Sequence, residues 1–280
     1  MDEGGRNVKV GVIGIGNMGT ILSEALLAGK AISPSNLMIF NRTKAKAERL
    51  RDKYKNITIA DNAKVLIENS NLIFLCMKPK DFYNFLHLNR QSFRDDQCVV
   101  SITSPIQTAW LEKMISSSCV RAIPSITNRA LSGVTLFTFG EHCTKKWKDE
   151  LLETFSMIST PLIISEEVTR VSSDIVSCGP AFYSYITRRF IEAAVTETEI
   201  DEKTAEKLFE HMLIGLGDLL KKGYYSLAGL EEKVCVKGGI TGEGIHVLEN
   251  ELGDTFEKVF QATHRKYAKE VQELEKDFID

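Results

Sequence analysis

Three glycines at fixed spacing carry the first chemistry. Gly14-Ile15-Gly16-Asn17-Met18-Gly19 follows a mostly apolar run, Val8 to Ile13, and a helical pattern begins at once behind it. The apolar run reads as a strand buried on both faces. Gly14 permits the tight turn out of that strand. Gly16, lacking a Cβ, lets a pyrophosphate lie close against the backbone, and Gly19 lets the helix pack tightly on the sheet. The helix N-terminus adds free N–H groups and the positive end of a dipole. Together they predict dinucleotide binding. The plainer reading is a glycine-rich strand–helix turn with no ligand; a second strand in the right place argues against it.

That second strand, Leu37 to Phe40, ends in Asn41-Arg42-Thr43, with Lys44 and Lys46 behind. An NAD-binding fold places a carboxylate here to accept hydrogen bonds from the ribose hydroxyls, and none is available. The planar fork of Arg42 suits a 2′-phosphate instead. The expected cofactor is therefore NADP(H), with Arg42 as a merely solvated strand-end residue as the alternative.

The elements that must position these residues follow from periodicity. Ile57 to Ala60, Leu72 to Met77, Cys98 to Ile102, Cys119 to Ile123, Val134 to Phe139 and Leu162 to Ile164 read as further strands. Helical patterns separate most of them. Thr43 is expected to cap one helix, Asn62 opens another and Pro79 suits the first turn of a third. Alternating strands and helices predict an α/β fold, with a Rossmann-type doubly wound parallel sheet over residues 1–165. Beyond Ser165 strand signals vanish, and residues 166–280 read as an all-helical domain. One helix there runs from about Asp201 to Lys222. Its Leu208, Met212, Leu216 and Leu219, widened by Phe209, Leu213 and Leu220, form a stripe too broad for one partner surface. The stripe predicts a homodimer; a self-sufficient helical bundle is the alternative.

Totals narrow the function. The 280 residues allow two domains, and the net charge of −3 shows no nucleic-acid footprint. Lys145-Lys146-Trp147-Lys148 reads as a solvated helix face. The 6 cysteines contain no Cys-x-x-Cys pair and the 5 histidines no ligand spacing, so no metal and no disulfide framework is expected. The first residues lack the apolar core of a signal peptide, and no apolar run reaches the ~18 residues of a membrane span. A cytoplasmic protein without membrane or nucleic-acid partners is the expectation.

Several blocks then line up with one family. Gly14 to Gly19 resembles the nucleotide loop of pyrroline-5-carboxylate reductases, and Asn41-Arg42 sits where those enzymes also use short polar and basic residues. Asn71-Leu72-Ile73-Phe74-Leu75-Cys76-Met77-Lys78-Pro79 resembles their "DVVFLAVKP" block, and Val99-Val100-Ser101-Ile102 their fifth strand. Cys178-Gly179-Pro180-Ala181-Phe182 resembles the end of "SGSGPAY", and Gly238-Gly239-Ile240-Thr241 the end of "SPGGTT". Order, spacing and length agree over nearly the whole chain. The resemblance implies NADPH bound by the N-terminal domain, with Asn62, Met77, Lys78, Pro79 and Thr103 added to the cofactor contacts. It implies an interleaved helical dimer, possibly assembled into a larger ring, and reduction of a cyclic imino acid to L-proline. Substrate contacts fall on Cys178, Lys237, Gly238, Gly239, Ile240 and Thr241, with the Thr241 hydroxyl hydrogen-bonded to the ring nitrogen. As chemistry this is coherent. The cofactor supplies the hydride, while a glycine turn opening a helix can hold a carboxylate. Thr241 as a plain helix cap is the bland alternative.

The departures concentrate at the same positions. The family's "MPNTP" reads Ile123-Pro124-Ser125-Ile126-Thr127 here, its "AAG" reads Thr103-Ser104-Pro105, its "SGS" reads Val176-Ser177-Cys178, and its "SP" reads Val236-Lys237. Pro105 has no N–H to donate. Lys237 brings a flexible cation that reinforces carboxylate binding or selects another substrate. A kept scaffold with an altered site is similar to the reductase-like proteins encoded with late-competence genes in bacilli. Two further readings stay open: a non-catalytic dinucleotide-binding paralogue with a regulatory role, and a β-hydroxyacid dehydrogenase-like reductase. The latter class places a lysine on the first long helix of its second domain, and Pro180 to Arg189 has none.

Overall fold

The computed structural model describes residues 8–279. Eight strands form one sheet: β1 (Val10–Ile13), β2 (Leu37–Phe40), β3 (Thr58–Ile59), β4 (Leu72–Leu75), β5 (Cys98–Ser101), β6 (Ser118–Ile123), β7 (Val134–Phe139) and β8 (Thr160–Ile163). Their order is β3-β2-β1-β4-β5-β6-β7-β8. The first six run parallel, so all their C-terminal ends meet at one edge. The order reverses between β1 and β4, and in such sheets a ligand binds in the crevice at that reversal. Strand β7 runs antiparallel to β6, and β8 parallel to β7. Residues 124–133 are too few for a helical crossover, so the chain turns back on itself through a short 3-10 turn, Ile126–Ala130, and Leu131 at φ 53°.

Six helices cover the sheet: α1 (Asn17–Ala28), α2 (Lys44–Lys53), α3 (Ala63–Asn69), α4 (Phe82–Asn89), α5 (Thr108–Met114) and α6 (Lys145–Ser156). Strands β1, β4, β5 and β6 are buried throughout, because their side chains alternate between two cores. Leu22 and Leu26 of α1, Leu50 of α2 and Phe155 of α6 meet Val12, Phe74 and Val100 on one face. Leu66 of α3, Leu86 of α4 and Trp110 of α5 meet Ile73, Leu75 and Val99 on the other.

The helical part comprises α7 (Thr169–Ser173), a π turn (Asp174–Cys178), α8 (Gly179–Glu197), α9 (Glu202–Lys221), α10 (Leu227–Val234), α11 (Ile240–Glu251) and α12 (Thr255–Ile279). Two compact units result, one made of residues to Pro180 together with Thr263 onward, the other of Ala181–Ala262. The sequence places its division at 165/166, whereas α7, the π turn and the end of α12 group with the sheet. The reason is specific contact. Thr169 hydrogen-bonds Arg121 of β6, Thr263 hydrogen-bonds Asp174, and Leu274 and Phe278 enter the α3–α4–α5 core.

The second unit starts its helices with side-chain caps: Asp201 accepts from Thr204 N–H at α9, and Ser226 from Gly229 N–H at α10. Ile191 and Ala205 are its buried apolar residues among the described residues, whereas Tyr183, Phe190, Leu208, Met212 and Ile214 are all exposed. No described helix is long and apolar enough to cross a membrane.

Candidate functional site

The glycine turn has the geometry its spacing predicts. Gly14 adopts φ +101°, and a Cβ there would sit 2.3 Å from the Cys76 carbonyl oxygen. A Cβ on Gly19 would lie 1.9 Å from the Gly14 oxygen, whereas one on Gly16 would meet nothing within 4 Å. Two glycines are thus demanded by the protein's own packing, and the third leaves open space where a phosphate would approach. No side chain caps α1, so its first N–H groups face outward from Gly16 onward. A cleft of about 740 Å³ runs from the turn along α1, and Lys46, Arg49, Lys53 and Arg129 are among its lining residues. Glu24 faces two of these cations, Lys53 at 2.7 Å and Arg129 at 3.6 Å.

The β2 end is tied into this turn. Asn41 Oδ1 accepts the Ile15 N–H at 2.8 Å, and Asn41 Nδ2 donates to the Thr43 carbonyl at 2.9 Å. Asn41 therefore shapes the loop with its whole amide. Ile15 is buried with its N–H already taken. Thr43 stands at the N-cap of α2, but its side chain makes no capping bond, which corrects the expected cap; the Asn41 amide organises this corner instead. Arg42 is exposed, as are Asn17 and Lys78, while Met18, Met77 and Pro79 are half-buried. Asn62 caps α3, its Oδ1 accepting the Val65 N–H at 3.0 Å. Pro79 opens a 3-10 turn leading into α4.

The loops after β5 and β6 are held by a polar network. Arg121, fully buried in β6, grips Glu166 through two bonds of 2.7 and 2.8 Å and donates to the Ser104 carbonyl at 3.1 Å. It also donates to the hydroxyls of Thr138 and Thr169. Tyr267 of α12 donates its hydroxyl to the same Ser104 carbonyl at 3.2 Å. From the π-turn side, Ser177 Oγ donates to the Pro124 carbonyl and Ser125 Oγ to the Val176 carbonyl. Arg170 Nη2 donates to Asp174 Oδ1 at 2.8 Å and to Cys178 Sγ at 3.4 Å. Burial pushes the Cys178 thiol up, against the lowering pull of Arg170. Thr103 Oγ1 is buried without a partner, as are Arg121 Nε and Arg170 Nε.

The second cluster lies in the other compact unit. Gly238 has φ +74°, and a Cβ on Gly239 would lie 2.8 Å from Val236 Cγ2. Both glycines are required for the chain to enter α11. Gly239 is the N-cap and no side chain bonds there, so Thr241 is not a cap. Lys237, Ile240 and Thr241 are exposed.

Comparison with known proteins places these features. A family described as "Pyrroline-5-carboxylate reductase dimerisation" matches residues 166–270, and one described as "NADP oxidoreductase coenzyme F420-dependent" matches residues 9–105. ComE operon protein 4 of Bacillus subtilis is 47% identical over 271 residues, covering 97% of this chain and 99% of that protein. Pyrroline-5-carboxylate reductase 3 of the same organism is 30% identical over 262 residues, covering 92% of this chain and 95% of that protein. The chain belongs to the pyrroline-5-carboxylate reductase family. The Plasmodium falciparum pyrroline carboxylate reductase, solved with NADP bound, shares the fold at TM-score 0.81 and 19% identity, covering 97% of this chain and 99% of that one. Like other members of this NAD(P)-binding oxidoreductase family, the chain joins a Rossmann-like half to a helical dimerisation half.

Within the reductase frame, Arg121, Glu166, Arg170, Asp174 and Tyr267 were not singled out from the sequence. One signal was legible: Arg121 interrupts the apolar strand run Cys119-Val120-Arg121-Ala122-Ile123, and a charge in a doubly buried strand requires a partner. The partner, 45 residues away, was not legible.

Proposed function

We propose that this protein is an NADPH-dependent reductase of a cyclic imino acid, 1-pyrroline-5-carboxylate to L-proline or a close relative, acting as a homodimer. The observation that carries the cofactor half is the glycine turn: space is closed at Gly14 and Gly19 and open at Gly16, before an uncapped helix. The residues fit a dinucleotide. Gly16, Asn17 and Met18 offer N–H groups to the phosphates, and Arg42 offers its fork to a 2′-phosphate. Met77, Lys78, Pro79 and Thr103 belong to the loops after β4 and β5 on the same sheet edge, where the rest of the cofactor would be held. When bound, the cofactor supplies the hydride. The chain's own contribution is to hold an imino acid and a proton. The turn Gly238-Gly239 with Ile240 presents the uncapped start of α11 to a carboxylate, assisted by Lys237, and Thr241 offers a hydroxyl to the ring nitrogen. Cys178 lines the substrate side of the π turn.

The homodimer rests on an imbalance. A unit of residues 181–262 with two buried apolar side chains cannot stabilise itself in water, and its exposed Tyr183, Phe190, Leu208, Met212, Ile214 and Leu248 form the kind of surface that a second copy covers.

The test is NADPH oxidation followed at saturating pyrroline-5-carboxylate, with proline identified as product. Absence of turnover above background sinks the catalytic reading. A non-catalytic dinucleotide-binding role is the second reading. It is favoured by the use of Ser125 and Ser177, at the altered loops, for bonds within the protein instead of toward a substrate. It expects NADPH binding by titration without turnover on any imino acid.

A further inference from the structure

We propose that Arg170 is a positioning residue of the site: it locks the loop after β5 and the start of α8 into one arrangement, an inference that rests on the reductase reading. Arg170 lies on α7, one turn before the π segment. Its Nη2 reaches Asp174 Oδ1 at 2.8 Å and Cys178 Sγ at 3.4 Å, and its Nη1 reaches Ser104 Oγ at 3.5 Å. Its guanidinium stands 5.6 Å from the centre of the Tyr267 ring. Tyr267 in turn donates to the Ser104 carbonyl. One side chain thus touches the β5 loop, the π turn and the last helix together.

Energetics argue against a purely structural role. An i,i+4 ion pair on a helix surface contributes a few tenths of a kcal/mol and needs no burial. Here the Asp174 side chain is fully buried and the Arg170 side chain 16% exposed. Taking both charges out of water costs more than the pair returns unless every donor is matched. Arg170 Nε is buried and unmatched, and so is the hydroxyl of Thr103, the residue before Ser104. The helix is also widened to π geometry over Asp174–Cys178, a local form that recurs at functional sites. Asp174 is itself held from α12, its Oδ2 accepting from Thr263 Oγ1 at 2.7 Å with His264 Nε2 at 3.8 Å. The cost is concentrated where the loop after β5 meets the π turn that leads into α8. A fork with donors pointing three ways does this; an ammonium on a flexible stem does not.

The experiment compares wild type, Arg170→Lys and Arg170→Ala in the full-length protein, with guanidinium chloride at sub-denaturing concentration as rescue agent. Thermal melts first establish that each variant is folded. NADPH affinity is expected to fall far less than turnover, because Arg170 does not touch the glycine turn, although the β5 loop that it braces carries Thr103. The turnover number is expected to fall about 100-fold in both variants, the scale of loss that a misplacement near 1 Å produces. Guanidinium is expected to recover turnover in Arg170→Ala and to leave wild type unchanged. A second readout is independent of turnover: the fluorescence lifetime of bound NADPH, which shortens as the nicotinamide loosens, is expected to drop in both variants and to recover with guanidinium in Arg170→Ala. Absence of turnover in wild type would count against the reductase reading alone, and the lifetime still decides the role of Arg170. A folded Arg170→Lys with wild-type turnover or lifetime overturns the proposal. So does a loss in Arg170→Ala that follows the melting temperature and is not rescued.

Discussion

Arg42 and the buried thiols show how much a single group's surroundings decide. Arg42 is exposed at the end of β2, and no carboxylate follows that strand in the place where one would favour an unphosphorylated ribose. Arg42→Ala should therefore weaken NADPH by about 1.5–3 kcal/mol, the scale of one charge-assisted contact, while leaving NADH nearly unchanged. Parallel titrations of the two cofactors check this, and equal losses would show that Arg42 does not read the 2′-phosphate. The thiols behave oppositely, since their surroundings suppress ionisation. Burial pushes the Cys143 thiol up from 9.0 to about 11, and raises Cys98 and Cys119 further in the same direction. In the unfolded chain these thiols lose protons near their ordinary value, whereas the folded protein keeps them. The unfolded state then binds fewer protons, so stability falls as pH rises from 9.0 toward 11 and is untouched below. A Cys98→Ala/Cys119→Ala double variant should show a shallower fall in melting temperature across that window than wild type. An identical slope would place the alkaline loss elsewhere.

Among the elements, β6 and β8 mark the limits of what local pattern reveals. Breaking the pair that Arg121 makes with Glu166 leaves a cation stranded inside β6; Glu166→Ala should cost about 3 kcal/mol, read by urea denaturation. A cost under about 1 kcal/mol would mean that water reaches the guanidinium and does the work of Glu166. All eight strands were legible because each is an apolar run between turn residues. The reversal of β7 and β8 departs from the all-parallel expectation, since the strand residues themselves carry no mark of direction; only the shortness of the 124–133 link signals it. The polar network escaped for a related reason: its partners are distant in sequence, Tyr267 meeting Ser104 across 163 positions. The Thr43 cap failed by competition, because Asn41, two residues earlier, already organises that corner. Strand β8 ends the sheet, and its outer side is short of one donor. Thr160 and Ile164 direct their N–H groups to β7, which leaves Pro161 on the outer side with no N–H to offer a further strand.

For the molecule as a whole, the bare helical unit points to association through helices. Light scattering should find a dimer or a multiple of it at micromolar concentration, and a single species at the mass of one chain would refute this. The last helix adds a different constraint. Phe278 stacks on Trp110 at 5.1 Å and meets Tyr83 edge-on at 5.6 Å, while Leu274 lies buried beside them. A chain ending at Lys266 should therefore lose stability in its nucleotide-binding half, detectable as a lower melting temperature and stronger dye binding to exposed apolar surface. Order of synthesis gives this contact its wider meaning. Domains generally fold as units, N-terminal first, while the ribosome is still adding residues. Here the N-terminal half cannot close one of its two cores until the last turns of α12 have been made, with about 170 positions separating Trp110 from its partner. The nascent protein must carry an uncovered aromatic face throughout the synthesis of everything between α5 and the end of α12, and that interval, more than the finished structure, is where it is exposed to aggregation.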